Sequence, residues 1–361
     1  IIYNQEINKG CIMKNKLKHL VPVLLALATI TGSLSACELK PKAQQKVSKQ
    51  GFYFDTIIQI TLYGTTDEKY IDDCFDMAKK YEDMLSNTVS YSEVSKINDA
   101  AGKEYVTVSD DTLELIKNGI EYGDTSDGRF DITIGKLSDL WNFSEIAENT
   151  DSKDNEVDAS VVPSDAQIQS ELSHVNYRNI QINGNDVMLT DSKAKLDLGG
   201  IAKGFIADKM KAYLQSKKIT SGIINLGGNV LTVGEKSDGS DYTVGIQKPF
   251  DESGEPICTV KIKDKSVVTS GIYERYYRVD GKLYHHILDT TTGYPVKNNL
   301  YSVTIISDSS CDGDALSTTC FALGIDKAKE LINSLSGVEA IFVTDDYSII
   351  TTSDEYNVSK E

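Results

Sequence analysis

Two dipeptides constrain this chain more than any other feature: Asn183-Gly184 within IQINGNDVML and Asp280-Gly281 within YYRVDGKLYHHIL. Each lies between short runs rich in apolar residues, and such dipeptides suit the left-handed backbone of a two-residue hairpin turn. Further strand-like runs follow at YSVTIIS, EAIFVT and YSIITT, while GFYFDTIIQITLYG alternates Ile58, Ile60 and Leu62 against Gln59, Thr61 and Tyr63. Helical spacing interrupts them. Ile71, Phe75, Ala78 and Leu85 share one helical face, Ser109 caps a helix through Leu113, Ile116 and Ile120, and helices are expected over Ile201 to Leu214 and Ala315 to Leu335. Strands joined by hairpins with helices between them predict an α+β fold, mainly antiparallel sheets with packed helices, rather than a doubly wound parallel sheet.

The 361 residues carry a formal net charge of −17, which argues against nucleic-acid binding through the general field of the surface. An anionic substrate then needs a local site, and a metal ion would serve. The positive charge is concentrated early. From Met13, a basic start (Lys14, Lys16, Lys18) leads into an apolar run, Leu20 to Ile30, and then to Leu34-Ser35-Ala36-Cys37. This reads as a lipoprotein signal peptide, with cleavage expected before Cys37 and a diacylglycerol on its sulfur. Residues 1–12 precede that methionine and are read as untranslated leader, because Lys9-Gly10 can be written in the purine codons of a ribosome-binding sequence. Residues 37–50, polar and lysine-rich, are expected to tether a domain spanning 51–361 to the extracytoplasmic face of the cell membrane. Within that domain the acidic stretch 144–165 reads as a surface insertion. Cys74, Cys258, Cys311 and Cys320 show no C-x-x-C spacing and are read as buried small apolar residues rather than zinc ligands.

Four segments carry candidate chemistry. KLDLGGIAKGF runs from a strand end through Gly199-Gly200 into an amphipathic helix, where outward-facing amides and Lys203 offer an anion site or, more plainly, a glycine-rich helix start with a surface lysine. INLGGNVLTVG sets a second Gly-Gly between strands, for close approach of a ligand or as a β-bulge. In KLYHHILDTTTGYP neighbouring side chains on a strand face opposite ways, so only one of His285 and His286 can face a pocket; His286 is the expected one, against the alternative of a surface histidine. In CDGDALSTTCFALG, Asp314 and Thr318 stand four apart at a helix start, where they could coordinate a hard cation such as Mg2+, or where an aspartate simply caps the helix.

In order, DLGGIAKGF, NLGGN, TSGIYERYYRVDGKLYHHILDTTTGYPV and DGDALSTTCFALG resemble the signature blocks of the ApbE family, lipoproteins that act as FAD:protein FMN transferases. FDT at Phe54, LSNTVSYSEVSKIN and DGRFDITIGKLSDLW are weaker echoes. The resemblance implies an ApbE-like, tandem T-fold-like single catalytic unit. It implies that FAD binds with its pyrophosphate near Gly199 to Lys203, that Mg2+ bridges a phosphate oxygen to Asp314, Thr318 and the Gly200 carbonyl, and that an acceptor-protein threonine takes FMN as AMP leaves. His286 would line the flavin-phosphate site and handle the proton, with Phe54, Thr88, Phe130, Asp131, Asp197 and Ile287 among the cofactor contacts. Thr88 departs from a family tyrosine, and Phe54 stands where Met-Gly-Thr begins. Two rival readings are a metal-dependent FAD pyrophosphatase and a non-catalytic flavin-binding lipoprotein.

Overall fold

The alternation at Ile58, Ile60 and Leu62 becomes strand β2 (Thr56–Tyr63), with all three side chains withdrawn from solvent. The computed structural model describes residues 45–150, 155–251, 253–356 and 358–360, so the expected leader, lipobox and Cys37 lie outside the described residues. The expected tether ends inside the fold. Lys46–Gln50 belongs to strand β1 (Lys46–Tyr53), which pairs antiparallel with β2 in unbroken register from Lys46↔Tyr63 to Tyr53↔Thr56. What reads as one strand beginning at Gly51 is therefore a hairpin. Its two-residue turn is Phe54-Asp55, at φ 54° and 55°, a left-handed pair without the glycine or asparagine that would have announced it.

Beyond this hairpin the chain forms α1 (Lys69–Leu85), α2 (Glu93–Asp99), β3 (Val106–Thr107), α3 (Asp110–Thr125), α4 (Gly135–Trp141), α5 (Phe143–Glu148) and α6 (Asp165–Leu172). The hairpin β4 (Ile180–Asn183) and β5 (Asp186–Leu189) precedes α7 (Ala202–Ser216). Then come β6 (Ser221–Leu226), β7 (Asn229–Gly234), β8 (Tyr242–Gln247), β9 (Pro256–Ile262), β10 (Ser266–Gly271), β11 (Tyr276–Val279), β12 (Lys282–His285) and β13 (Leu300–Ser307). The chain closes with α8 (Ser310–Leu323), α9 (Ile325–Ser334), β14 (Glu339–Thr344), β15 (Ile349–Thr351) and β16 (Ser359–Lys360).

Eight strands form one sheet in the order β1-β2-β6-β7-β10-β13-β14-β15, antiparallel at each step. The expected α+β, mainly antiparallel architecture is the one observed. Period-two alternation gives the sheet two apolar faces. One carries Ile58, Ile60, Leu62, Ile224 and Leu231 against Ile71, Ala78, Phe205 and Met210 of α1 and α7. The other carries Val267, Ile306 and Ile341 against Val244, Ile246, Val260 and Ile262 of the β16-β9-β8 sheet.

Both hairpin dipeptides mark turns. Asp280-Gly281 is the turn between β11 and β12, at φ 51° and 75°; the β4–β5 turn falls one residue later than its dipeptide, on Gly184-Asn185. Gly227-Gly228 is a hairpin turn rather than a bulge, at φ 64° and 91°, and a side chain at Gly227 would lie 2.6 Å from Thr56 Cγ2. The described residues of the acidic stretch 144–165 are more ordered than expected. Phe143 is buried, and Ile146, Val157, Val161 and Val162 pack on a cluster of Trp141, Tyr277, Val279 and Leu288, while Val157 N–H donates to the Arg278 carbonyl (2.9 Å). Its few apolar residues are spaced to reach one aromatic patch, which its high charge conceals in the sequence. The four described cysteines are buried.

Candidate functional site

Helices α7 and α8 touch backbone to backbone, and the site grows from that contact. A Cβ on Gly204 would lie 2.6 Å from the Ser310 carbonyl carbon and 2.8 Å from Asp314 Cβ, so only glycine allows the approach. The approach lets Gly204 N–H donate to Asp314 Oδ2 at 2.9 Å. The helix bearing Asp314 starts at Ser310 rather than near Ala315, with Ser309 Oγ accepting from Asp312 N–H, so Asp314 sits in the second turn, not at the helix start. It is buried, and burial raises its carboxyl above the usual range, with the charge of Lys203 and the Gly204 amide opposing.

Hydroxyls surround the next turn of α8. Ser270 Oγ lies 2.7 Å from Ser317 Oγ and 3.1 Å from Thr318 Oγ1, and Ser317 Oγ donates to the Asp314 carbonyl at 2.9 Å. Gly200 approaches from the α7 side: a Cβ there would sit 4.0 Å from Thr318 Oγ1 and 3.1 Å from Phe130 Cε2. Asp314, Thr318 and Gly200, which share no sequence neighbourhood as a set, are thus brought together. One carboxylate, hydroxyls and nearby backbone carbonyls form an oxygen-only donor set, the chemistry that suits a hard divalent cation such as Mg2+.

The histidine pair divides its work as strand alternation requires. His285 is buried against Phe321, with ring centroids 5.8 Å apart. Ile287 N–H donates to its Nδ1 (3.3 Å), so the proton is on Nε2, which donates to the Val296 carbonyl (3.0 Å); burial holds its pKa down to about 4. His286 faces the other way. Its Nδ1 donates to the Arg275 carbonyl (3.2 Å), because a carbonyl can only accept, and this leaves Nε2 with a free lone pair. The ring is half-buried, and desolvation, then the charges of Arg275, His285 and Lys203, push it down to about 3.

Glu274 shows the same combination more sharply. Its side chain meets solvent, yet desolvation raises its carboxyl, with Lys203 and Arg275 pulling it down. Lys203 is close enough for its charge to act on Asp314, His286 and Glu274 alike. Among the described residues, neither Lys203 nor Arg275 has a salt-bridge partner, whereas most other lysines of α1 and α7 are paired. Cations of this kind, Lys203 near Asp314 and both near His286 and Glu274, are suited to a phosphorylated anion.

The remaining expected residues fall around this centre. Asp197 Oδ1 accepts from Gly199 N–H (2.8 Å) and shapes the turn into α7. Phe130 is buried, edge-on to Tyr122 at 6.1 Å. Both Asp131 oxygens are committed to protein, Oδ1 to Thr133 N–H (2.8 Å) and Oγ1 (2.6 Å), Oδ2 to Tyr177 N–H (2.9 Å), so its carboxylate braces the loop. The Ile287 side chain belongs to the core, and its backbone is taken up within the protein, the N–H by His285 Nδ1 (3.3 Å) and the carbonyl by Val296 N–H (2.9 Å). Phe54 is half-buried with its N–H on Glu82 Oε1 (2.9 Å), and Thr88 is exposed, its Oγ1 2.9 Å from Ser86 Oγ. Among the described residues, neither hydrogen-bonds to the α7–α8 centre. The hydroxyl run after the histidines is structural: Thr290 donates to the Gly128 carbonyl (2.6 Å), Thr291 to Asp289 Oδ1 (2.6 Å), and Asp289 pairs with Arg129 (3.0 Å). Ser270, Ser317, Glu274 and Arg275 were missed. Their only signal was membership of the same blocks as His286 and Asp314.

The mixed α+β architecture with a glycine-mediated helix pair is not a nucleotide fold of the P-loop or Rossmann kind. The family can now be stated: the ApbE family profile matches residues 54–342, and the chain belongs to the ApbE family. It is similar to an FAD:protein FMN transferase of Klebsiella pneumoniae, 38% identical over 298 residues, 82% of this chain and 88% of that protein. One of Treponema pallidum is 31% identical over 291 residues, 76% of this chain and 77% of that protein. Among solved structures, the ApbE protein of Thermotoga maritima superimposes with a TM-score of 0.75 at 30% identity, covering 85% of this chain and 96% of that one. The flavin transferase ApbE of Vibrio cholerae gives 0.74 at 25% identity, with the same coverage.

Proposed function

We propose that this chain is an FAD:protein FMN transferase that uses Mg2+, attaches FMN through a phosphoester bond to a threonine of an acceptor redox protein, and releases AMP. The observation that carries the reading is the convergence of Asp314, Thr318 and Gly200 beside the unpaired cations Lys203 and Arg275. Asp314, Thr318 and the Gly200 carbonyl would hold the ion, which when bound supplies neutralisation of charge on the diphosphate. Lys203 and Arg275 bind and orient that diphosphate. The acceptor hydroxyl oxygen forms a bond to the FMN-side phosphorus as the bond to the AMP oxygen breaks, and the hydroxyl proton passes to His286 Nε2, held as an acceptor by the Nδ1–Arg275 bond. An imidazole with so low a pKa is neutral when FAD is absent, and the incoming phosphate charge raises its basicity at the moment of use.

The test is incubation with FAD, Mg2+ and an acceptor carrying a threonine flavinylation segment. A flavin-fluorescent acceptor band with one AMP per flavin is expected. AMP without the band would establish the pyrophosphatase instead, and unchanged FAD would leave a binding lipoprotein. We further propose lipid anchoring through Cys37 at the extracytoplasmic membrane face; a Cys37→Ser chain that stayed with the membrane would refute it.

A further inference from the structure

Asp208 has no part in the scheme above, yet its carboxylate is directed at the helix that carries Asp314. It lies on α7 one turn beyond Gly204, therefore on the same face. Oδ1 accepts from Ser310 N–H (2.9 Å), and Oδ2 accepts from Cys311 N–H (2.9 Å) and Ser309 Oγ (3.1 Å). Those amides are the unsatisfied donors of the first turn of α8, and an acidic group there is stabilised by the helix dipole. Asp314 is one turn further along α8, and its carboxylate returns to Gly204. The two helices are thus fastened at two points, Gly204 to Asp314 and Asp208 to Ser310 and Cys311, with a four-residue spacing on each.

Two fastenings fix what one cannot. The Gly204 bond alone would let α8 rotate about Asp314, whereas the second sets both the rotation and the axial register of α8. Burial raises the Asp208 carboxyl, opposed first by the Cys311 and Ser310 amides, so the fold bears a cost to keep it there. We propose that Asp208 is a positioning residue of the cation site: by capping α8 from α7 it fixes the angle at which Asp314 and Thr318 meet the Gly200 carbonyl. This rests on the cation reading given under the proposed function.

The experiment measures Mn2+ binding calorimetrically, without flavin, on the full chain and on Asp314→Ala, Asp208→Asn and Asp208→Glu. Asp208→Asn keeps the shape but sets an amide NH2 against a backbone N–H; Asp208→Glu keeps the charge and loses the fit. The expected result is abolished binding in Asp314→Ala and about tenfold weaker binding in both Asp208 variants, as for other residues that orient ligands from behind. Circular dichroism should show all of them folded; if Asp208→Asn is not, Asp208→Glu carries the comparison. Wild-type affinity in both Asp208 variants overturns the inference. So does a weakened Asp208→Asn beside an unaffected Asp208→Glu, since charge rather than geometry would then be the cause. Mn2+ binding untouched by Asp314→Ala refutes the cation reading itself, independently of Asp208.

Discussion

Gly204→Ala is the substitution that most directly tests whether helix contact sets the chemistry. The added methyl would meet the Ser310 carbonyl carbon at 2.6 Å and Asp314 Cβ at 2.8 Å, both on or next to a helix backbone that cannot swing aside. Relief requires α7 and α8 to part by about 1 Å, and overpacking of that order costs about 1–3 kcal/mol. Alanine returns about 1 kcal/mol of helix propensity. A net loss of up to about 2 kcal/mol leaves the protein folded and lowers its melting temperature by at most a few degrees. Activity should suffer far more. Parting the helices lengthens the Gly204–Asp314 bond and moves Asp314 and Thr318 away from Gly200, and a displacement of about 1 Å at a reacting centre costs about 10²-fold. Thermal melts and AMP release at several Mg2+ concentrations measure the two effects separately. A variant with unchanged turnover and Mg2+ dependence would show that the helix contact does not set the site, and the reasoning would fail.

Lys203→Met and Arg275→Met should each raise KM for FAD by about 10–100-fold, the worth of a charge-assisted hydrogen bond, with little effect on the melting temperature; an unchanged KM in both would remove the diphosphate from this site. His285 gives a pH signature. Its pKa is about 4 in the fold against an ordinary value of about 6.5, so between those values the unfolded chain binds a proton that the native state refuses, and stability falls as pH falls. Urea unfolding at pH 7.5 and 4.5 should show the wild type losing roughly 2 kcal/mol more than His285→Asn; equal losses would mean the ring is not buried neutral. Trp141 is the only tryptophan, fully buried, with Nε1–H on the Gly293 carbonyl (2.8 Å). Trp141→Phe strands that carbonyl and should cost about 1–3 kcal/mol in the unfolding midpoint, and wild-type stability would contradict the bond.

Much of this was legible in the sequence because the relevant signals are local. Alternation at Ile58, Ile60 and Leu62 and the Ser109 cap needed only neighbours a few residues away, and both appear as read. Asp314 and Thr318, four apart on a helix, kept that relation even though the helix began earlier than expected. The failures have physical causes. Phe54-Asp55 adopts two left-handed conformations with residues that do not advertise them, held in part by the bond from Phe54 N–H to Glu82. The Asp131 carboxylate is committed to Thr133 and Tyr177, a commitment that the sequence does not show. Arg275 and Glu274 were invisible as site residues since their meaning lies in enclosure beside Lys203, a property of three segments at once.

One consequence follows from the setting of α8. No residue of this helix is exposed: it is enclosed by α7, β10, β13 and α9, with serines and threonines as well as aliphatic side chains turned into the protein. Such a helix works as an axle in a close-fitting bearing, with no free side on which a substitution is harmless. Freedom to vary lies instead with side chains that meet solvent, such as those of Glu274 and Arg275.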